Sequence, residues 1–399
     1  MFILGLLSYD RPLLQRFKSV SGSSGLRSQD VCDGLHLAFS EKRTSLAGNA
    51  DRFVVCQGFP LGEAGELLSC DDLLIAGPCD RPASGHYRII AIDRQRLQVD
   101  LHGDAFASYP MYYAVLPQAV VFGSRFELVA RMLDPDLRDI DRPALFNFLH
   151  FGYFTGCTTH LKQVASVPPA SSVSISRDLD VSVGGGGPDC SPPDSVPGSM
   201  QEGAEQCAAI LRKGMAPFVR IARDRNSRCA VPLSGGLDSR LLLGLLLDAG
   251  AGDAVSLHHF YHSVLGADYV IANTLARRLE RPIENLRYGV RDIGIDVLLD
   301  LAGHTDYMGC PRRVHTRMLY QRLASAIPDA IVFLGVGGDA LSGAHIDWSL
   351  AGAPDDCFLA QLYDRAGLAL PAGRLVNLLN RELFGDAVRR EAFDGFAEL

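Results

Sequence analysis

At 399 residues the chain is too long for one ordinary hydrophobic core, which sets the expectation of two domains. Apolar residues make up 47% and charged residues 21%, the balance of a globular protein and not of a disordered one. The net charge is -8, no Lys/Arg block occurs, and the lysines are confined to Lys18, Lys42, Lys162 and Lys213, which argues against a nucleic-acid or anionic-membrane partner.

The opening run Met1-Phe2-Ile3-Leu4-Gly5-Leu6-Leu7 is too short to span a bilayer. No basic stretch precedes it and Asp10 and Arg11 follow at once, which is not the pattern expected of a secretion signal. The ten cysteines, from Cys32 to Cys357, contain no C-x-x-C pair. That is not zinc spacing, and it sets the expectation of reduced thiols in a cytoplasmic protein.

Short β-like runs come first: Tyr87 to Ile92, Met111 to Val115 and Ala119 to Phe122, bounded by Gly, Pro and Asp. A stretch that can hold neither helix nor central strand follows, with Gly184 to Gly187, Pro188, Pro192, Pro193, Pro197 and Gly198. Beyond it, the apolar runs Cys229 to Leu233, Ala254 to Phe260 and Ile331 to Leu334 are separated by helix-length segments. That alternation predicts a parallel sheet with crossover helices. The expected organisation is a mainly β domain over 1–183, a linker over 184–200 and an α/β domain over 201–399.

The strongest chemical signal is the run Ser234-Gly235-Gly236-Leu237-Asp238-Ser239, between a buried-strand candidate and a helix-like stretch from Arg240 to Leu247. Strand, glycine turn and helix aim backbone N–H groups and a helix N-terminus at an anion. Gly235 and Gly236 let the backbone approach phosphate oxygens, and the hydroxyls of Ser234 and Ser239 can donate. Asp238 would repel a bare phosphate but suits a Mg²⁺ bridge between carboxylate and phosphates. No Lys-Ser/Thr follows at Walker A spacing. Later, the run Ile331 to Leu334 leads into Gly335-Val336-Gly337-Gly338-Asp339, a second strand ending in glycines with one carboxylate.

The first of these loops resembles the PP-loop of ATP pyrophosphatases. The two together, in this order, resemble the synthetase domain of the asparagine synthetase family. Asp268, Ala272, Ala276 and Leu279, at helical spacing, resemble the helix after that family's second strand. The stretch Gly103 to Tyr113 with Phe122-Gly123-Ser124 resembles the family's N-terminal glutaminase fold. The resemblance implies an N-terminal, β-rich, Ntn-hydrolase-like sandwich and a C-terminal doubly wound PP-loop domain. It implies ATP and Mg²⁺, with nucleotide contacts at Ser234, Gly235, Gly236, Leu237, Asp238, Ser239, Leu257, Gly335 and Gly337. The metal would be held by Asp238 and Asp339, and catalysis would fall to Asp238, Asp339 and Arg240.

Three departures shape the implied function. Phe2 stands where the family's glutaminase has its nucleophilic cysteine, and a phenyl ring has no nucleophilic atom. Val336 stands where family members carry Glu or Tyr, and no lysine occurs after Lys213, although the family has a late catalytic Lys. Either the chain is truncated at its C-terminus or another cation serves; Arg240, Arg312, Arg313 and Arg317 are the candidates. The expected activity is AMP-forming amide-bond ligation on a small-molecule or peptide carboxylate, without glutamine hydrolysis. The alternatives are a lasso-peptide type macrolactam cyclase acting on a precursor peptide, as β-lactam synthetases and lasso cyclases also lack the cysteine, and a non-catalytic nucleotide-binding scaffold. The histidines of His258-His259-Phe260-Tyr261-His262 alternate faces in a strand and so do not converge on a metal.

Overall fold

The computed structural model describes residues 2–40, 44–76, 82–185, 197–309, 314–335, 359–360, 362–363 and 384–397. These form a mixed α/β protein whose residues fall into two compact units. Residues 305–309, 359–363 and 384–397 group with residues 2–185, and residues 197–304 group with 314–335.

The first unit is built on two antiparallel sheets of six strands. The strands in chain order are β1 (Ile3–Ser8), β2 (Arg27–Cys32), β3 (Leu35–Phe39), β4 (Ser45–Gly48), β5 (Arg52–Leu61), β6 (Ser84–Asp93), β7 (Gln98–Gly103), β8 (Tyr112–Leu116), β9 (Ala119–Gly123), β10 (Val164–Ser166), β11 (Ser172–Ile175) and β12 (Val181–Gly184). One sheet has the order β10-β8-β9-β1-β3-β2 and the other β12-β11-β7-β6-β5-β4.

Strand alternation sorts the apolar side chains into layers. Ile3, Leu7, Val120 and Phe122 of the first sheet meet Phe53, Val55, Ile90 and Ile92 of the second in one buried core. The intervening residues Leu4, Leu6 and Val121 turn outward against helices α1 (Arg11–Ser23) and α3 (Phe126–Leu133), through Phe17, Val20, Val129 and Met132. On the far side, Val54, Cys56, Ile89 and Ala91 pack on α2 (Cys70–Ala76) through Cys70 and Leu73. The strands are apolar on both faces because each sheet is covered on both faces, which gives four layers: helix, sheet, sheet, helix.

Helix α4 (Arg142–Phe151) opens on an Asp141 cap and carries the late helix α10 (Asp386–Ala397). Asn147 binds the carbonyl of Ala392 (2.9 Å) and accepts from the Tyr363 hydroxyl (2.7 Å), while Phe151 stacks on Phe396. His160 lies among Phe126, Phe148 and Phe154, with its Nε2 2.7 Å from the Tyr307 carbonyl. Burial pushes its pKa below the ordinary 6.5, only partly offset by that carbonyl.

Below pH about 6.5 the unfolded chain takes up a proton that the folded His160 resists, so stability falls as pH drops through this window. The loss of melting temperature between about pH 7.5 and about pH 5.5 is therefore expected to shrink in His160→Phe. Equal losses in the two proteins would show that His160 does not titrate as stated.

The second unit is a parallel sheet in the order β15-β14-β13-β16, with β13 (Cys229–Pro232), β14 (Val255–Tyr261), β15 (Ile283–Arg287) and β16 (Ile331–Val332). Around it lie α5 (Met200–Asp224), α6 (Leu237–Asp248), α7 (Ala267–Arg278), α8 (Ile295–His304) and α9 (Val314–Ala326). Val231, Leu233, Leu243, Leu246, Leu257, Ala272 and Ala276 share its core. No helix among the described residues is long and apolar enough to cross a membrane. Cys32, Cys56, Cys70, Cys157, Cys207 and Cys229 are free thiols.

Candidate functional site

The glycine loop joins β13 to α6 at the carboxyl ends of the parallel strands, the edge at which open α/β sheets hold ligands. Its shape follows from three contacts. The Leu233 N–H donates to the His258 carbonyl (2.7 Å), carrying the β13–β14 pairing to the brink of the loop. The Gly235 N–H donates to the Asp268 carboxylate at 3.0 Å, in the first turn of α7. The Ser239 hydroxyl, which is buried, accepts from the Ser234 N–H at 3.0 Å.

Two glycines are required by space. A Cβ on Gly235 would come 2.6 Å from the Asp268 carboxylate and 3.0 Å from its Cα. A Cβ on Gly335, just past β16, would come 2.7 Å from the Asp238 Cβ and 3.0 Å from the Ser239 nitrogen. The strand that leads to the second glycine run thus ends directly against the start of α6. Gly337 and Asp339 lie outside the described residues, as do Val336, Arg312 and Arg313.

The sequence-based expectations divide at this point. Gly236 is the N-cap of α6 and no side chain caps the helix, so its first turn presents Leu237, Asp238 and Ser239 at an uncapped N-terminus. Asp238 is exposed there. Ser234 and Ser239 turn their hydroxyls to each other (3.0 Å), and the Ser234 Oγ also accepts from the Gly236 N–H (3.1 Å). The loop therefore braces itself with the two hydroxyls expected to face phosphate. The Arg240 Nε donates to the Gly236 carbonyl at 3.2 Å, which anchors its guanidinium beside the loop. Leu257 has its side chain in the sheet's core.

The histidine run lies where β14 leaves the sheet. His258 and His259 are both buried and point to opposite faces. His258 Nδ1 is 2.9 Å from the Glu284 carboxylate, and burial lowers its pKa against the pull of that carboxylate. His259 donates from Nδ1 to the Leu233 carbonyl at 2.7 Å, and its Nε2 has no partner among the described residues. Beyond them Phe260 stacks on Tyr288 at 4.4 Å, with His315 of α9 stacked 5.8 Å from Tyr288. Arg317 sits 3.5 Å from Asp300. Among the described residues no group of three or more His, Cys, Asp or Glu is placed to hold a metal.

Asp268 and His259 are the two loop-positioning residues that sequence reasoning did not single out for that role. The usable signal was present: an acidic residue in the first turn of the helix after the neighbouring strand, and a histidine one residue past the strand position paired with the end of β13.

In the first unit, Phe2 occupies a packed position. Its N–H donates to the Ser40 hydroxyl (2.9 Å), its ring packs against the apolar layer under α1 and α3, and the Arg125 guanidinium lies 4.6 Å above it. Nothing at residue 2 can attack an amide carbonyl.

The chain matches no known protein family and no curated protein. Partial similarity to solved structures is found. A structure titled the allosteric regulatory enzyme of purine biosynthesis shares 10% identity, with 46% of this chain and 49% of that chain covered and a TM-score of 0.29. Glutamine phosphoribosylpyrophosphate amidotransferase from B. subtilis, complexed with ADP and GMP, shares 11% over 46% of this chain and 49% of that one, at a TM-score of 0.28. Glutamine-dependent NAD+ synthetase from Acinetobacter baumannii, in complex with adenosine diphosphate, shares 14% over 60% and 49%, at a TM-score of 0.25. The chain spans about half the length of each of these proteins, 49% in every case.

Proposed function

We propose that this chain is an ATP-dependent, AMP-forming amide-bond ligase of the asparagine synthetase type, which activates a carboxylate by adenylation and does not draw nitrogen from glutamine. One observation carries the reading. The loop Ser234–Ser239 and Gly335 of the neighbouring strand meet at the carboxyl edge of a parallel sheet, at distances that admit no side chain, in front of an uncapped helix N-terminus. Backbone kept bare of Cβ atoms beside free N–H groups is the cradle a polyphosphate needs.

Within that reading the first turn of α6 holds the β- and γ-phosphates, and Asp268 fixes the loop through Gly235. Arg240, anchored on the Gly236 carbonyl, supplies positive charge nearby. Asp238 is an oxygen donor of the hard type that suits Mg²⁺, and Asp339 would be its companion. When bound, the ion would neutralise charge on the departing pyrophosphate. The substrate carboxylate attacks the α-phosphorus, pyrophosphate leaves, and an amine then displaces AMP from the acyl adenylate. The protein's own part is to position the phosphates and to place charge around them.

Phe2 favours an amine from solution or from the substrate itself over ammonia released from glutamine. The second case is the macrolactam reading, with amine and carboxylate on one precursor peptide. Glutamate release from glutamine is expected to stay at the uncatalysed level at any enzyme concentration, since residue 2 cannot form an acyl-enzyme. ATP–pyrophosphate exchange tests the adenylation itself. Exchange stimulated by one class of carboxylic acid is the expected result, and a peptide as sole activator would select the cyclase. No exchange with any acid would overturn the ligase reading and leave a nucleotide-binding scaffold.

A further inference from the structure

The face of the second unit away from the phosphate loop carries a second feature. Two adjoining depressions lie between the last turns of α5 and the turn that leads from α6 into β14. One has a volume of about 530 Å³ and the other about 360 Å³, and they share Val219 and Arg223. The larger reaches Cys229, the first residue of β13, whereas the glycine loop follows the last. Four strand residues at about 3.3 Å each separate the two by roughly 13 Å.

The charge of this groove runs against that of the chain. Arg212, Arg220, Arg223 and Arg228 line it against Asp248 and Asp253, a local surplus of positive charge in a protein of net charge -8. Two of the arginines are held in place. Arg212 pairs with Asp248 at 3.2 Å, and Arg228 donates to the Asp253 carbonyl at 2.7 Å. Arg223 lines both depressions, is exposed, and forms no ion pair among the described residues. Val219 and Ala251 give the floor a small apolar area, backed by the fully buried Ala222 and Cys229, with Asn226 and Ser227 at its edge.

We infer that this groove binds a small organic phosphate, with Arg223 as the principal anion contact, Arg228 beside it, and the apolar floor under the carbon part of the ligand. A guanidinium offers paired N–H donors that match two phosphate oxygens. An isolated positive surface would attract anions of every kind. A cationic rim over an apolar floor, within the volume range of small-ligand sites, selects a phosphate ester. The site uses no residue of the phosphate loop and is independent of the ligase reading.

Calorimetric titration of the full chain with glycerol 3-phosphate, and with inorganic phosphate as the bare-anion comparison, tests it. Saturable binding of glycerol 3-phosphate, tighter than that of inorganic phosphate, is expected. Arg223→Ala should weaken it about tenfold or more, and Arg223→Lys should restore only part, because lysine lacks the fork. Gly235→Val, which disrupts the nucleotide loop, should leave it unchanged and so shows that the signal does not come from that loop. Circular dichroism of each variant confirms folding. Absence of saturable binding, equal affinity in Arg223→Ala, or loss of binding in Gly235→Val would each overturn the assignment.

Discussion

Asp238→Asn is expected to lower ATP–pyrophosphate exchange by about a thousandfold or more while leaving the fold intact. Asp238 is exposed in the first turn of α6, and its neighbourhood is defined by backbone: the Gly236 cap before it and Gly335 packed against its Cβ. The folded protein gains little from the carboxylate beyond its favourable place near a helix N-terminus, worth less than about 1 kcal/mol. The reaction would lose far more. Removing one preorganised electrostatic contact at a site of developing charge costs roughly 10²–10³ in rate, and removing a metal ligand removes the ion's charge as well. Exchange rates and a thermal melt on the same preparation separate the two effects. Retained exchange would sink the metal role of Asp238, and a collapsed melt would show that its part is structural.

Local signals carried the second unit's sheet and loop into the sequence reading; distant partners were hidden from it. Cys229–Pro232 and Val255–Tyr261 are apolar runs that a parallel sheet buries on both faces, so composition alone marks them. The third run was expected to extend to Leu334, yet the paired strand covers only Ile331–Val332. Past it the Phe333 N–H still bonds the Ala230 carbonyl, and the backbone then turns to bring Gly335 against α6. The glycines of the first loop were legible because the tight approach needs their particular chemistry.

What could not be read is who fills the remaining hydrogen bonds. Ser234 and Ser239 were read as donors to phosphate; that the same two oxygens also accept from the loop's own N–H groups, those of Gly236 and Ser234, was not legible. Asp268 meets Gly235 across 33 positions of chain, a pairing that only the docking of α7 creates. The late residues 384–397, expected with the second domain, pack on α4 because Phe146, Phe151 and Asn147 offer an apolar and hydrogen-bonding face that no local pattern in α10 announces.

Asp306→Ala is expected to destabilise the first unit by about 3 kcal/mol, a fall in melting temperature on the order of 10 °C. Helix α3 begins without a cap of its own, since the Arg125 side chain at the N-cap accepts from none of the helix's backbone N–H groups. The Asp306 carboxylate fills that place from 180 positions away, accepting from the N–H of Phe126 and from that of Glu127 at 3.1 Å. It also accepts from the Arg125 Nε at 3.0 Å, and that same guanidinium covers Phe2. Burial pushes the Asp306 pKa up, and Arg125 and the two N–H groups offset only part of that rise, so the ionised carboxylate is less favoured in the fold than in water. Truncation is costly for a different reason: it strands two backbone donors and part of a partly buried guanidinium whose other acidic partner, Glu127, lies at 3.4 Å. Asp306→Asn keeps one acceptor oxygen and should lose less than the alanine variant. A melt of Asp306→Ala within about 2 °C of the parent would show that the donors find other partners and that α3 does not depend on this cap.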